Sequence, residues 1–89
     1  MTPFQERWMN PQQVSQLIQA GLPGSEARVT SPDNVHFEAV VVAAAFTGKG
    51  RVQRHQLIYA TLGERVGNEI HALALQAFTP EEFAARSGA

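Results

Sequence analysis

The stretch that most limits how this chain can fold runs from Ala39 to Tyr59, where an apolar run gives way to a cationic glycine turn and then to helical spacing. Ala39 to Phe46 carries no polar side chain, and Val40, Val41 and Val42 stand in succession. With His36 to Ala45 read as a strand, both of its faces are apolar over part of its length, which marks the central or best-covered strand of a sheet. Gly48 and Gly50 then admit positive φ and close backbone approach. Beyond them His55, Ile58, Tyr59, Leu62 and Val66 recur at i, i+3, i+4, i+7 and i+11, one apolar face of a long helix. Gly63 costs about 1 kcal/mol relative to Ala inside that pattern, so the helix can divide there. This order sets free N–H groups of a helix start beside Lys49, Arg51 and Arg54, a place for an anion or for a partner's acidic edge.

The flanking segments supply the rest of a sheet and its cover. Asn10 caps a first helix with Pro11 at its first position and Gln13 three residues after the cap, a capping-box arrangement. Val14, Leu17, Ile18 and Leu22 line that helix, and Gly21 with Pro23 and Gly24 closes it. Ala27 to Thr30 alternates as a half-buried strand, Ser31 to Asn34 is turn chemistry, and a hairpin with the His36 strand follows. Ile70 to Ala77 reads as a third strand. Thr79, Pro80 and Glu82 then open a last helix as cap, first residue and capping-box acid, with Phe78 and Phe83 placed as a hydrophobic staple. The order α-β-β-α(α)-β-α is α+β, three strands with helices packed on one face. Residues 1–9 read as a flexible arm, 10–84 as the domain and 85–89 as a frayed end.

Composition removes several classes of function. There is no cysteine, hence no disulfide, no thiolate nucleophile and no self-sufficient Cys-ligated metal site. A metal must be held by His or carboxylate, or shared with a partner. Seven basic and eight acidic residues leave no overall field to draw the chain to nucleic acid or membrane. The longest apolar run falls far short of the roughly 20 residues that span a bilayer. No secretory or transit signal is read at the N-terminus, so a cytoplasmic protein is expected, or an organellar one in mature form. No Ser-His-acid set, phosphate loop or zinc spacing is present, and Glu81 and Glu82 are explained by helix capping, so an enzyme is not expected.

A family resemblance rests on particular residues. Phe-Thr-Gly-Lys-Gly-Arg-Val-Gln-Arg-His-Gln-Leu-Ile-Tyr at 46–59, Glu-Ile-His-Ala-Leu at 69–73 and Thr-Pro-Glu-Glu at 79–82 resemble the BolA family, over about residues 11 to 83. The Arg54-His55 pair and Ile70 to Leu73 are the most specific parts. The resemblance implies a BolA-like, class II KH-like fold with a three-stranded mixed sheet. It also implies a non-enzymatic partner of a monothiol glutaredoxin, acting in iron-sulfur cluster assembly and trafficking or in iron, redox and stress regulation.

The same resemblance names the metal-ligating residue. In BolA proteins the histidine matching His71 is implicated in ligating a [2Fe-2S] cluster shared with the glutaredoxin, which with glutathione would supply the thiolates. A lone histidine is otherwise usually a structural or surface residue. Cluster iron accepts His in place of Cys, so the absence of cysteine is compatible with this role. Many family members carry a second Cys or His in the loop between the first two strands. Here Thr30 to Val35 offers neither, and His36 just after it is the candidate. The isolated protein, a monomer or weak homodimer, is expected to hold no cluster. His55, on the apolar stripe, reads more readily as a packing residue.

Lys49, Gly50, Arg51 and Arg54 form the candidate partner- or anion-binding loop, against the plain reading of a solvated helix start. The alternative function is a DNA-binding transcriptional regulator using Gly48 to Arg54. A KH-type clamp wants Gly-x-x-Gly, whereas Gly48-Lys49-Gly50-Arg51 has different spacing, and no aromatic series is present to stack bases.

Overall fold

The computed structural model describes residues 9–67, 70 and 72–87. Residues 1–8 of the expected arm, and His71 itself, lie outside the described residues. The elements are α1 (Pro11–Gly21), β1 (Glu26–Thr30), β2 (His36–Val42), α2 (Arg51–Leu62), β3 (Ala72–Phe78) and α3 (Pro80–Ser87), with single 3-10 turns at Ala44–Phe46 and Gly63–Arg65. The sheet order is β1-β2-β3. β1 pairs with β2 antiparallel, Glu26 opposite Val42 and Thr30 opposite Glu38. β3 pairs with β2 parallel, His36 opposite Ala72 and Val42 opposite Phe78. The sheet is therefore mixed, with the valine-rich strand at its centre.

Alternation along the strands decides which face is covered. Phe37, Ala39, Val41 and Ala43 are buried with Ala27, and Leu73, Leu75 and Ala77 sit partly buried against the same core. α1 contributes Val14 and Ile18, α2 contributes Ile58 and Leu62, and each of these four is fully buried. Tyr59 is 40% exposed, so the buried stripe of α2 runs through Ile58 and Leu62 with Leu57 beside them. The cause is the close crossing with α1: a Cβ on Gly21 would lie 2.6 Å from Thr61 Cγ2. That contact turns the Thr61 side of α2 inward. The short α3 serves the opposite face, where Phe83 and Arg86 close a shallow pocket with Arg28, Val40 and Gln76.

Both capping boxes are formed. Asn10 Oδ1 accepts from Gln13 N–H at 2.8 Å and Gln13 Oε1 accepts from Asn10 N–H at 2.9 Å. Thr79 Oγ1 accepts from Glu82 N–H at 3.1 Å, Glu82 Oε1 accepts from Thr79 N–H at 2.9 Å, and the rings of Phe78 and Phe83 stack tilted at 5.8 Å. The long helix divides at Gly63, whose φ of 59° admits glycine without strain.

Several boundaries differ from expectation. Met9 is buried and belongs to the core, not to a loose arm. β2 stops at Val42, because after Ala43 N–H bonds Phe78 C=O the chain must turn to bury Phe46. The described part of β3 begins at Ala72, while the Ile70 N–H is bonded to Arg65 C=O and its C=O to Gly67 N–H, outside the ladder with β2. α3 stays helical to Ser87, past the expected onset of fraying.

Candidate metal-ligating turn and cationic groove

The turn between β1 and β2 is built by two short polar side chains. Ser31 Oγ donates to His36 C=O at 2.5 Å and accepts from Asn34 N–H at 2.9 Å, while Asn34 takes a φ of 59°. Asp33 Oδ1 accepts from the N–H groups of Val35 and His36, both at 2.9 Å. Its second oxygen lies 2.9 Å from His36 Nδ1. The His36 backbone N–H, its ring and the Val35 N–H together hold the Asp33 carboxyl well below the usual carboxylate range.

This arrangement has a chemical consequence. A carboxylate on Nδ1 fixes the ring's orientation and favours the tautomer that presents Nε2 as the basic nitrogen, the pattern by which metal-binding imidazoles are held. The His36 side chain is 65% exposed, at the mouth of a groove of about 370 Å³ with Pro32, Phe37, Glu38, Ala72 and Leu73. Its Cα partner is Ala72, the residue that follows His71 in the chain. Among the described residues no group of three His, Asp or Glu side chains converges to hold a metal ion. Among the described residues the turn thus offers one oriented imidazole, which fits a metal centre completed by ligands from elsewhere.

The cationic turn lies at the other end of β3. Gly50 is the N-cap of α2 and lacks a side chain, so Gln53 Oε1 closes only one half of a capping box, accepting from Gly50 N–H at 3.0 Å. Lys49 and Arg51 are exposed and line a groove of about 340 Å³ between the start of α2 and Leu75 to Phe78. His55, half-buried, also lines it. Arg54 is different. Its Nε donates to Lys49 C=O at 2.8 Å, its Nη1 to Ala77 C=O at 3.2 Å, and both terminal nitrogens to Glu82 at 2.6 and 3.1 Å. Of the three cations, Arg54 is built into the fold, and Lys49 and Arg51 face outward.

His36 and the cationic turn are not brought together. Six residue steps along β3 lead from Ala72 to Phe78, so the two regions lie roughly 20 Å apart along the strand. The sequence pattern by itself points to neither the pairing of Asp33 with His36 nor that of Arg54 with Glu82. An Asp in turn chemistry three residues before a His is a local signal compatible with the first. For the second, 28 residues apart, there is none.

Residues 16–82 match the model of a family described as BolA-like protein. The chain belongs to the BolA family. BolA relatives include the DNA-binding transcriptional regulator BolA of Haemophilus influenzae, 52% identical over 58% of this chain, of which the chain spans half the length. The acid stress protein IbaG of Escherichia coli is 34% identical over 85% of this chain and 90% of its own. A BolA homologue from Coxiella burnetii has the same fold, with a TM-score of 0.73 and 40% identity over 85% of this chain and 97% of that one. Three helices on a three-stranded mixed sheet are thus the BolA architecture in this chain.

Proposed function

We propose that this BolA-family chain is a non-enzymatic partner of a monothiol glutaredoxin, with which it shares a [2Fe-2S] cluster as cargo in iron-sulfur trafficking or iron and redox sensing. The observation that carries this reading is the Asp33–His36 pair at the head of β2, beside the strand that His71 leads into. His71 is proposed as the principal ligand and His36 as a second. Asp33 orients His36 and keeps Nδ1 occupied, so Nε2 is the nitrogen suited to iron. Glutaredoxin and glutathione thiolates would complete the set, as a chain without cysteine requires.

The test is an anaerobic reconstitution of the complex with a monothiol glutaredoxin, followed by visible absorption and circular dichroism. The wild-type complex is expected to differ from the glutaredoxin homodimer, and His71→Ala to change the cluster spectrum while the fold persists. His36→Ala is expected to give a smaller change. A His71→Ala complex with a wild-type spectrum and lowered thermal stability would refute the ligand role.

A second reading, DNA-binding regulation, has its own support: Lys49 and Arg51 are exposed on one lip of a groove, and the Haemophilus influenzae relative is named a DNA-binding regulator. Two outward cations offer few phosphate contacts, so binding to duplex DNA should be weak at physiological salt. Tight, salt-sensitive binding lost in a Lys49→Glu, Arg51→Glu variant would favour this reading over the first.

A further inference from the structure

The two edges of the sheet are treated differently. At β1, Ala27 turns its backbone outward, and α1 closes it: Ser15 Oγ donates to Ala27 C=O at 2.7 Å and Gln19 Oε1 accepts from Ala27 N–H at 2.9 Å. At β3, among the described residues, the only such cover is the Arg54 side chain on Ala77 C=O. In its parallel ladder Ala72 N–H bonds Val35 C=O and Phe78 C=O bonds Ala43 N–H, which puts the polar groups of Ala72, Ala74, Gln76 and Phe78 toward β2. Those of Leu73, Leu75 and Ala77 therefore point out. Ala77 C=O is taken by Arg54, and among the described residues no partner is found for the others. A strand edge left open in this way is a template for another chain.

What lies beside the edge selects the occupant. The groove of about 340 Å³ runs between Leu75 to Phe78 and the start of α2, with His55 on its wall and Lys49 and Arg51 on its lip. A helix beside an open strand edge is a geometry by which extended peptides are bound through main-chain hydrogen bonds. Alternating outward N–H and C=O groups match a polypeptide backbone. A DNA backbone presents phosphate acceptors and no donor for the carbonyls of Leu73 and Leu75, and the 2′-hydroxyls of RNA can donate to them but do not reproduce the alternating N–H and C=O of a strand. Lys49 and Arg51, with no carboxylate among the groove-lining residues, ask for acidic side chains on the incoming segment. We infer that the outer edge of β3 takes an extended acidic segment of a partner protein as a fourth strand of the sheet. This rests on the ladder and the groove, not on the cluster, and holds for the apo protein.

The experiment is a titration of the isotope-labelled full chain, without iron, by a short end-blocked peptide of alternating Val and Glu. The amides of Leu73, Leu75 and Ala77 should shift downfield and exchange roughly tenfold more slowly near saturation, while those of Ala74 and Gln76, already bonded to β2, change little. The peptide N-methylated at alternate residues should lose this protection in one of its two registers. Lys49→Glu with Arg51→Glu, checked for fold by circular dichroism, should weaken binding about tenfold, or 1.4 kcal/mol. Three results would overturn the inference: peptide binding without protection at Leu73 and Leu75, equal binding of both N-methylated forms, or protection given by a single-stranded oligonucleotide but not by the peptide. Protection that appears without peptide and tracks a dimer mass would assign the edge to a second copy and overturn it too. Because no cluster is involved, failure here leaves the glutaredoxin reading to its own spectrum.

Discussion

Arg54 and Glu82, 28 residues apart, meet in a two-bond pair, Nη1 to Oε1 at 2.6 Å and Nη2 to Oε2 at 3.1 Å. The same guanidinium holds Lys49 C=O and Ala77 C=O, so one side chain joins the glycine turn, the end of β3 and α3. Arg54, first, and the Thr79 N–H lower the Glu82 carboxyl from its ordinary 4.5 to about 2. A carboxyl depressed in the folded state adds stability that is complete above its unfolded pKa and is lost as pH falls through the folded one. Thermal unfolding of the wild type and of Glu82→Gln should therefore differ most above pH 4.5, converge as pH falls, and coincide near or below about 2. A difference that stays constant across this window would show that the pair is not what separates the two proteins.

The cations of the glycine turn should divide by function. Arg54 is only 14% exposed and its hydrogen bonds are internal, whereas Lys49 and Arg51 face solvent. Arg54→Glu faces Glu82 with a like charge and frees Ala77 C=O, so it should lower the melting temperature clearly and loosen α3. Lys49→Glu with Arg51→Glu should leave stability within about 0.5 kcal/mol, as surface changes usually do. Affinity for a glutaredoxin should fall in the double variant, with a weaker salt dependence. Equal melting temperatures for Arg54→Glu and the double variant would contradict this division.

Local chemistry made much of the fold readable before the structure. Asn10 with Gln13 and Thr79 with Glu82 are three-residue signals, and both boxes form. The valine run gave the central strand, and Gly63 the break in the helix. What failed depends on contacts distant in sequence. Tyr59 fits the helical period as well as Thr61 does, and only the approach of Gly21 decides which is turned inward. Arg54 reads as one more surface cation until β3 and α3 arrive beside it. The histidine turn was half legible: Asp33 reads as a turn former, and its second oxygen, spent on the imidazole, adds a role that turn propensity does not encode.

Gly21 is where α1 and α2 touch, and it should tolerate no side chain. A Cβ there would lie 2.6 Å from Thr61 Cγ2, 2.8 Å from its Cβ and 3.3 Å from its Cα. The first contact can be relieved by rotation, but the other two require the helices to separate. Gly21→Ala should therefore destabilise by about 1–3 kcal/mol in denaturant unfolding, in spite of alanine's better helix propensity. Thr61→Ala in the same chain removes Cγ2 and should recover part of the loss. A Gly21→Ala protein as stable as wild type would mean that the crossing is looser than described.

Asp33 offers a way to alter His36 without removing it. An Asn at position 33 keeps an oxygen to accept from the Val35 and His36 N–H groups, so the turn should persist, held by neutral bonds weaker than the charge-assisted ones they replace. In place of Oδ2 it presents an amide that donates to Nδ1, which reverses that bond. The neutral ring should then shift toward the tautomer protonated on Nε2, the nitrogen a metal would need. Long-range nitrogen–proton correlation spectra of Asp33→Asn and wild type read this change directly in the apo protein. If His36 contributes to the shared cluster, the Asp33→Asn complex should resemble His36→Ala in its visible circular dichroism although the imidazole is still present. A shifted tautomer with an unaltered cluster spectrum would remove His36 from the ligand set and leave His71 as the only histidine proposed for it. An unshifted tautomer would show that Asp33 does not control the ring.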